Sequence, residues 1–423
     1  MKIKTVLILF LMLSLQVKGQ KETNITGKVI DQKTQESLPY ATVIYQNKSI
    51  GTITDLNGNF TLSITDASET DSIFISYMGY ESIKTVIAEC SKTNQFELKP
   101  NINKLNEVIV TSKKFKLKKF IEEVIGAYNK NKREKAHIAI AHYREKAKED
   151  NRYVMYMESI GYSVYAGTQA NAAPLSNYKF FNENTRCHVS HPKWMKYNEH
   201  RDAHNGQNVI PAGGSNLNMF RYFEINGLLS NNESKKYKYQ IDSSYYIQNN
   251  PIYCIRFNGS IAQGSLHVNA ESKQILKIEC STSKYWSTAF HKRVDAQIKI
   301  QFNYFEKTPF LSKITATYEH EKLEYQNHLE VLIQKFNDFE LNKEEYWSMN
   351  AYEQNPYIEY IPTAWETNII EPDNDYSKIA ADLGLNTTSL EKHFTDYSGR
   401  WFFSNVTRNE LAVSKIKQLK KNF

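Results

Sequence analysis

Five side chains able to bind a soft metal fall within eighteen residues: Cys187, His188, His191, His200 and His204. They stand as Cys187-His-Val-Ser-His191 and His200-Arg-Asp-Ala-His204. Imidazoles four residues apart share one face of a helix, and with a thiolate they could close a zinc site. Pro192 and the surrounding Asn and Lys residues instead indicate a loop, and the spacing matches no standard zinc pattern. Histidines packed with Tyr and Trp are the simpler account, so no metal cofactor is expected here. Asp55-Leu-Asn-Gly-Asn59 has the composition of a calcium loop ending at Asp66, but Phe60 stands where its sharp turn requires Gly. It reads as a hairpin turn. No Gly-x-Ser-x-Gly, dinucleotide fingerprint or phosphate-binding loop occurs, so neither a catalytic nucleophile nor a nucleotide is expected.

Strands must position most of what remains. Aromatics make up 13% of the chain, with 28 tyrosines and 21 phenylalanines, a composition that favours sheet. Between residues 25 and 98, apolar side chains recur at period two: Ile25, Gly27, Val29; then Ala41, Val43, Tyr45; then Phe60, Leu62, Ile64. Turn residues at Asn57-Gly58 and Gly79 punctuate them, and about seven strands at this spacing predict a two-sheet sandwich. From His137 to about Phe339 the same period returns at Tyr237–Ile241, Tyr253–Phe257, Ile298–Phe302 and Leu329–Ile333. Hairpin following hairpin predicts an antiparallel meander. Residues 167–232 show little periodicity and read as long excursions from that sheet.

Four motifs in order give the first sandwich a family. Gly27-Lys-Val-Ile-Asp31, Leu38-Pro-Tyr-Ala-Thr-Val43, Gly51-Thr-Ile-Thr-Asp-Leu-Asn-Gly-Asn-Phe60 and Ser76-Tyr-Met-Gly-Tyr80 resemble the carboxypeptidase-regulatory-like domain. The resemblance implies a transthyretin-like sandwich without catalysis of its own. Zinc-peptidase chemistry would need His-x-x-Glu and a distant His; His188 and His320 are followed three residues later by His191 and Leu323, and the motif is expected nowhere in the chain. Leu105-Asn-Glu-Val-Ile-Val-Thr111 resembles the stretch after this domain in TonB-dependent receptors of the starch-utilisation type. Here it leads into a lysine run, 113–119, with no plug-like sequence beyond. Ala141–Glu145, Tyr153–Ile160 and Tyr360–Ile370 resemble exported proteins with the same front domain and no assigned activity. The rhythm of Ile252–Phe257, Gly264–Val268 and Ile275–Glu279 resembles the curved half-barrel of periplasmic lipoprotein carriers, which hold acyl chains.

Two helical regions complete the pattern. Leu117, Phe120, Ile121, Val124, Ile125 and Tyr128 form a single-face stripe over 115–130. In the tail, Thr388-Ser-Leu-Glu391 and Thr407-Arg-Asn-Glu410 fit capping boxes, the second followed by a stripe of Leu411, Ala412, Ile416 and Leu419. A helical end carrying Lys417 and Lys421 also lacks the alternation of a terminal membrane-barrel strand.

The amino terminus indicates the compartment. Lys2 and Lys4 precede an apolar run from Val6 to Leu15, and Val17 and Gly19 sit at the small-residue spacing of a signal-peptidase site. The expected mature chain begins at Gln20 and carries 50 basic against 46 acidic residues, a balance that implies no nucleic-acid partner. No later run is long and apolar enough for a membrane helix, although the lysine run leaves a peripheral membrane contact open. Cys90, Cys187, Cys254 and Cys280 are too few for a disulfide framework. A Cys254–Cys280 bridge within the meander is an open alternative to buried thiols.

The expected organisation is therefore a mainly β chain: a signal peptide at 1–19, a β-sandwich at 20–100, a linker with an amphipathic helix at 101–134, and a larger antiparallel α+β domain with C-terminal helices at 135–423. The expected role is binding or interaction in the envelope of a diderm bacterium, in the periplasm or at the outer membrane, without catalysis. The expected partner is an envelope protein or an apolar ligand. Carriage of an apolar ligand in a curved sheet is the alternative, and a hydrolase with an unrecognised site the third.

Overall fold

The computed structural model describes residues 22–100, 115–168, 178–189, 215–345, 373–384 and 410–420, apart from short gaps within these ranges. The expected signal peptide, residues 101–114 of the linker with the first two lysines of its run, Asp66, Gly79, the signature at 360–370, the first tail capping box and residues 407–409 of the second lie outside the described residues.

The front unit has seven strands: β1 (Glu22–Asp31), β2 (Thr42–Tyr45), β3 (Ile50–Ile53), β4 (Asn59–Thr65), β5 (Ser72–Ser76), β6 (Ile83–Val86) and β7 (Gln95–Leu98). They form two sheets, ordered β4-β1-β7 and β3-β2-β5-β6. Period two sends Val29, Leu62 and Leu98 from one sheet and Val43, Ile73 and Ile75 from the other into one core, each no more than 2% exposed. A one-turn helix, α1 (Ile87–Cys90), adds Ile87 and Cys90. The Asn57-Gly58 turn is set by Gly58, whose φ of +76° suits glycine and whose missing Cβ would strike the Val29 carbonyl oxygen. Gly58→Ala is therefore expected to destabilise the sandwich by at least about 1 kcal/mol, read as a lowered urea midpoint. An unchanged midpoint would remove the turn from the determinants of this fold.

The second unit opens with α2 (Leu117–Lys130). No side chain caps its amino end at Lys116, so packing of its stripe holds it: Phe120, Ile121, Val124, Ile125 and Tyr128 are all buried. Ten strands follow: β8 (Ala136–Glu149), β9 (Arg152–Tyr165), β10 (Tyr178–Val189), β11 (Lys238–Ile247), β12 (Asn250–Asn258), β13 (Gln263–Asn269), β14 (Ile275–Ser287), β15 (Lys292–Phe305), β16 (Thr308–His320) and β17 (Leu323–Phe339). Their order is β10-β9-β8-β17-β16-β15-β14-β13-β12-β11, antiparallel throughout and open at β10 and β11. The chain enters mid-sheet at β8 and runs to one edge. It then crosses to the other edge and meanders back until β17 pairs with β8.

The crossing carries α3 (Ser215–Asn226). Both α3 and β10 fall where the sequence indicates only excursions. Leu217, Met219, Phe220 and Phe223 bury α3 on the sheet, but no regular helical stripe announces them, and its hydrophobic side is matched to neighbours far along the chain. One sheet face is thus apolar and covered by α2 and α3: Phe120 meets Tyr253 at 5.6 Å, and Tyr128 and Phe220 meet Phe302 at 5.6 and 5.9 Å between ring centroids. The two helices are pinned to each other by Glu224, which accepts from Tyr128 Oη and Lys132 Nζ, each at 2.9 Å. The helix that sequence places in the linker therefore belongs to the core of the second unit.

The opposite face is polar along most of its width. At its β8–β10 end it is covered by α4 (Tyr376–Asp382), through Ile379 against Tyr153 and Tyr156, and by α5 (Glu410–Lys420), through Ile416 and Leu419 against Ile138, Val164 and Phe181. Leu411, expected in the packing stripe, is 43% exposed; the stripe runs instead through Val413. The sandwich meets the second unit through edge strand β3, which lies against β17.

Candidate functional site

The polar face is built from alternate residues of neighbouring strands. Register places Gln297, Thr317, Gln326 and Lys146 in one row across β15, β16, β17 and β8. The next row is Glu319, Glu324, Lys148 and Tyr153 across β16, β17, β8 and β9. With strands about 4.8 Å apart, four in a row make a strip roughly 15 Å long. A cleft of about 680 Å³ lies over both rows, bordered by Asp295 at one end and Asp375 at the other. Glu319 and Glu324 sit directly opposite each other, a like-charge pair that works against the pairing of β16 with β17 there.

Beside the cleft, charges are locked together. Glu158 of β9 is fully buried and takes Arg144 Nε at 2.6 Å and Nη2 at 2.5 Å, with His142 Nε2 at 3.3 Å. Lys146 Nζ holds both oxygens of Asp373, at 2.9 and 2.8 Å, and Arg144 Nη1 approaches the same carboxylate at 3.6 Å. Tyr153 Oη donates to Asp375 and holds that carboxyl below its ordinary range, while Lys378 does the same for Asp382. The segment leading into α4 is thus fastened to β8 and β9 by ion pairs. Further along, burial holds His328 neutral down to about 4, and its neighbour Glu330 is pulled to about 2 by hydrogen bonding to His328 and the nearby Lys313, which outweigh its own burial.

The residues singled out by sequence do not form this site. Cys187 and His188 lie in β10, paired with Met157 and Tyr156, so the helix needed for an i, i+4 imidazole face is not formed there. His191, His200 and His204 lie outside the described residues. Among the described residues no group of three His, Cys, Asp or Glu side chains is placed to hold a metal. Cys254 and Cys280 are free thiols on opposite faces: Cys254 pairs with His267 of β13, whereas Cys280 pairs with Gly264 and faces the apolar core. The bridge between them is not made.

Contrary to the expectation that the motif is absent, the chain carries one His-x-x-Glu spacing, His142-Tyr-Arg-Glu145. In a strand this spacing splits the pair between faces. His142 meets Glu158 on the polar face, while Glu145 takes the hydroxyls of Tyr143 and Tyr325 on the apolar one. Two ligands of one metal cannot come from such a pair. The signal for the real polar cluster was the run Arg144-Glu-Lys-Ala-Lys148, whose alternate cations share the face of His142.

Comparison with known proteins supports the front unit. Residues 25–110 match the CarboxypepD_reg-like domain. No curated protein matches the chain. Among solved structures, a DUF1329 family protein from Desulfovibrio piger is similar at 9% identity, over 51% of this chain and 92% of that one, with a TM-score of 0.24. A putative outer membrane lipoprotein-sorting protein domain from Vibrio parahaemolyticus is similar at 12% identity, over 54% and 97%, with a TM-score of 0.27. At TM-scores this low the role of the larger sheet must be argued from its own geometry. With two sheets, seven strands and the matching family, residues 25–110 are a carboxypeptidase-regulatory-like domain, set in front of a ten-stranded antiparallel sheet.

Proposed function

We propose that this chain is an exported cell-envelope binding protein without catalysis, which holds a polar segment of an envelope partner on the polar face of its larger sheet. The observation that carries this reading is the cleft over the Gln297–Lys146 and Glu319–Tyr153 rows, whose lining is dominated by hydrogen-bonding and charged side chains. Such a strip suits an extended, polar ligand carrying both charges: Lys146 and Lys148 lie on one side and Asp295, Glu319 and Glu324 on the other. At about 3.3 Å per residue, the strip matches four or five residues of extended peptide. The apolar face suits that role less, because α2 and α3 already fill it.

One observation favours the carrier reading as second. A whole sheet face is apolar and lidded by two helices joined through Lys132, Tyr128 and Glu224, so a lifted lid would uncover an acyl-sized surface. Thermal-shift titration separates the two readings. The probes are zwitterionic pentapeptides and saturated C14–C18 fatty acids. Stabilisation by pentapeptides is expected, with Lys148→Ala and Gln326→Ala each weakening it about three- to tenfold. Stabilisation by fatty acids alone would replace the binding reading with the carrier.

A further inference from the structure

On the polar face, beside the cleft just described, β11 to β14 bring together a thiol, an imidazole, three hydroxyls and a carboxylate. Cys254 and His267 are direct cross-strand partners, and Cys254 Sγ lies 3.8 Å from His267 Nε2. Tyr245 Oη is 3.0 Å from His267 Nδ1. When Nδ1–H donates to that hydroxyl, Nε2 turns its lone pair towards the sulfur. Ser243, opposite Cys254 on β11, hydrogen-bonds the sulfur and favours the thiolate. Ser265 Oγ and Glu279 Oε2 stand 3.3 and 3.8 Å from Nε2, and both line an open cleft of about 440 Å³ that Asp242 and Arg256 also border.

We propose that Cys254 is a reactive thiol that exchanges with small polar disulfides approaching past Ser265 and Glu279, the cleft-lining neighbours of the pair, with His267 taking its proton and Tyr245 as the positioning residue for the imidazole. In the step, Cys254 Sγ–H passes its proton to His267 Nε2 and the sulfur attacks one sulfur of R–S–S–R. A protein–S–S–R bond forms, the small disulfide's S–S bond breaks, and the leaving R–S⁻ collects the proton from Nε2 to depart as R–SH. Cys254 is oxidised and the departing sulfur reduced, so no other oxidant is required. Burial keeps both partners neutral: the Cys254 thiol is raised and the His267 imidazole lowered from their ordinary values. The reaction therefore starts from thiol and free base and does not depend on a preformed thiolate. Cys280 borders the same cleft but packs in the apolar core, with burial pushing its thiol up to about 12, and Cys90 donates to the Val86 carbonyl at 3.3 Å.

The test uses the full chain carrying Cys187→Ser, with 5,5′-dithiobis(2-nitrobenzoate) as the disulfide and peptide mass spectrometry to locate the adduct. Cys254 should be modified first, and His267→Gln should slow it by at least about tenfold at pH 7. The groups facing the pair are Asp242 and Tyr245 on β11 and Lys277 and Glu279 on β14. Of all these groups, His267 is the one whose charge the proposed step must change. With His267 present, the rate should be level above pH 6.5, the ordinary histidine value; in His267→Gln it should climb about tenfold per pH unit, as thiolate supply alone dictates. Equal rates in guanidinium would verify that the variant alters the folded site. Modification of Cys280 or Cys90 ahead of Cys254, or the same rate and pH profile in His267→Gln, would overturn the proposal.

Discussion

Lowering the pH from 7 to 5 is expected to destabilise the second domain by several kcal/mol, well before its carboxylates protonate. His137 is 2% exposed and caged by Tyr165, Tyr178 and Phe310, with ring centroids at 4.8, 6.3 and 5.2 Å. Burial, reinforced by the Arg133 charge, lowers it to about 3. His328 is lowered to about 4 and His142 is lowered as well, both chiefly by burial. For a histidine whose folded value lies below the unfolded 6.5, the unfolded chain binds the extra proton. Stability is therefore complete above pH 6.5 and is lost as the pH falls from there towards the folded value. By pH 5 His137 alone accounts for about 2 kcal/mol. Glu330, lowered to about 2, works in a separate window: its contribution is present above its ordinary value of 4.5 and lost as the pH falls towards 2. Urea midpoints at pH 7, 6 and 5 would measure the slope, and His137→Phe should flatten it. A midpoint unchanged between pH 7 and 5 would mean that these imidazoles reach water in the folded protein.

Arg144→Met should be the most damaging single change near the binding face, at about 3–5 kcal/mol. Glu158 has no exposed surface, and Arg144 meets it through both Nε and Nη2, with His142 Nε2 beside them. Removing the guanidinium takes a close positive partner from a buried carboxylate, and His142, held neutral by burial, is a weak substitute. Arg144 also reaches Asp373, so its loss should loosen the segment leading into α4. The double variant Arg144→Met with Glu158→Met should recover much of the loss, because two apolar residues then replace a charge pair whose desolvation cost nearly cancels its attraction. Urea denaturation of the four proteins in the cycle gives the coupling. Strictly additive losses, or a cost under about 1 kcal/mol for Arg144→Met, would show that water solvates Glu158 in spite of its burial.

Local chemistry was enough to specify much of this chain. Strand period, the Asn57-Gly58 turn and the stripe from Leu117 to Tyr128 depend on residues a few positions apart, whose interactions survive in any surrounding. The sandwich, the meander and α2 were legible for that reason. The expected separation between the first sandwich and a larger antiparallel sheet followed from the same periods. Tertiary structure alone decided what those elements bring together. Cys254 meets His267 from 13 residues away and Arg144 meets Glu158 from 14, because hairpin register aligns them, and a shift of one residue would send each partner to the opposite face. Lys146 meets Asp373 across 227 residues, a contact no local pattern encodes. The same register divides His142 from Glu145 and Cys254 from Cys280, pairs that spacing along the chain would join. A sheet carries its chemistry in rows across strands, and the order of strands, set by the closure of β17 on β8, determines which residues share a row.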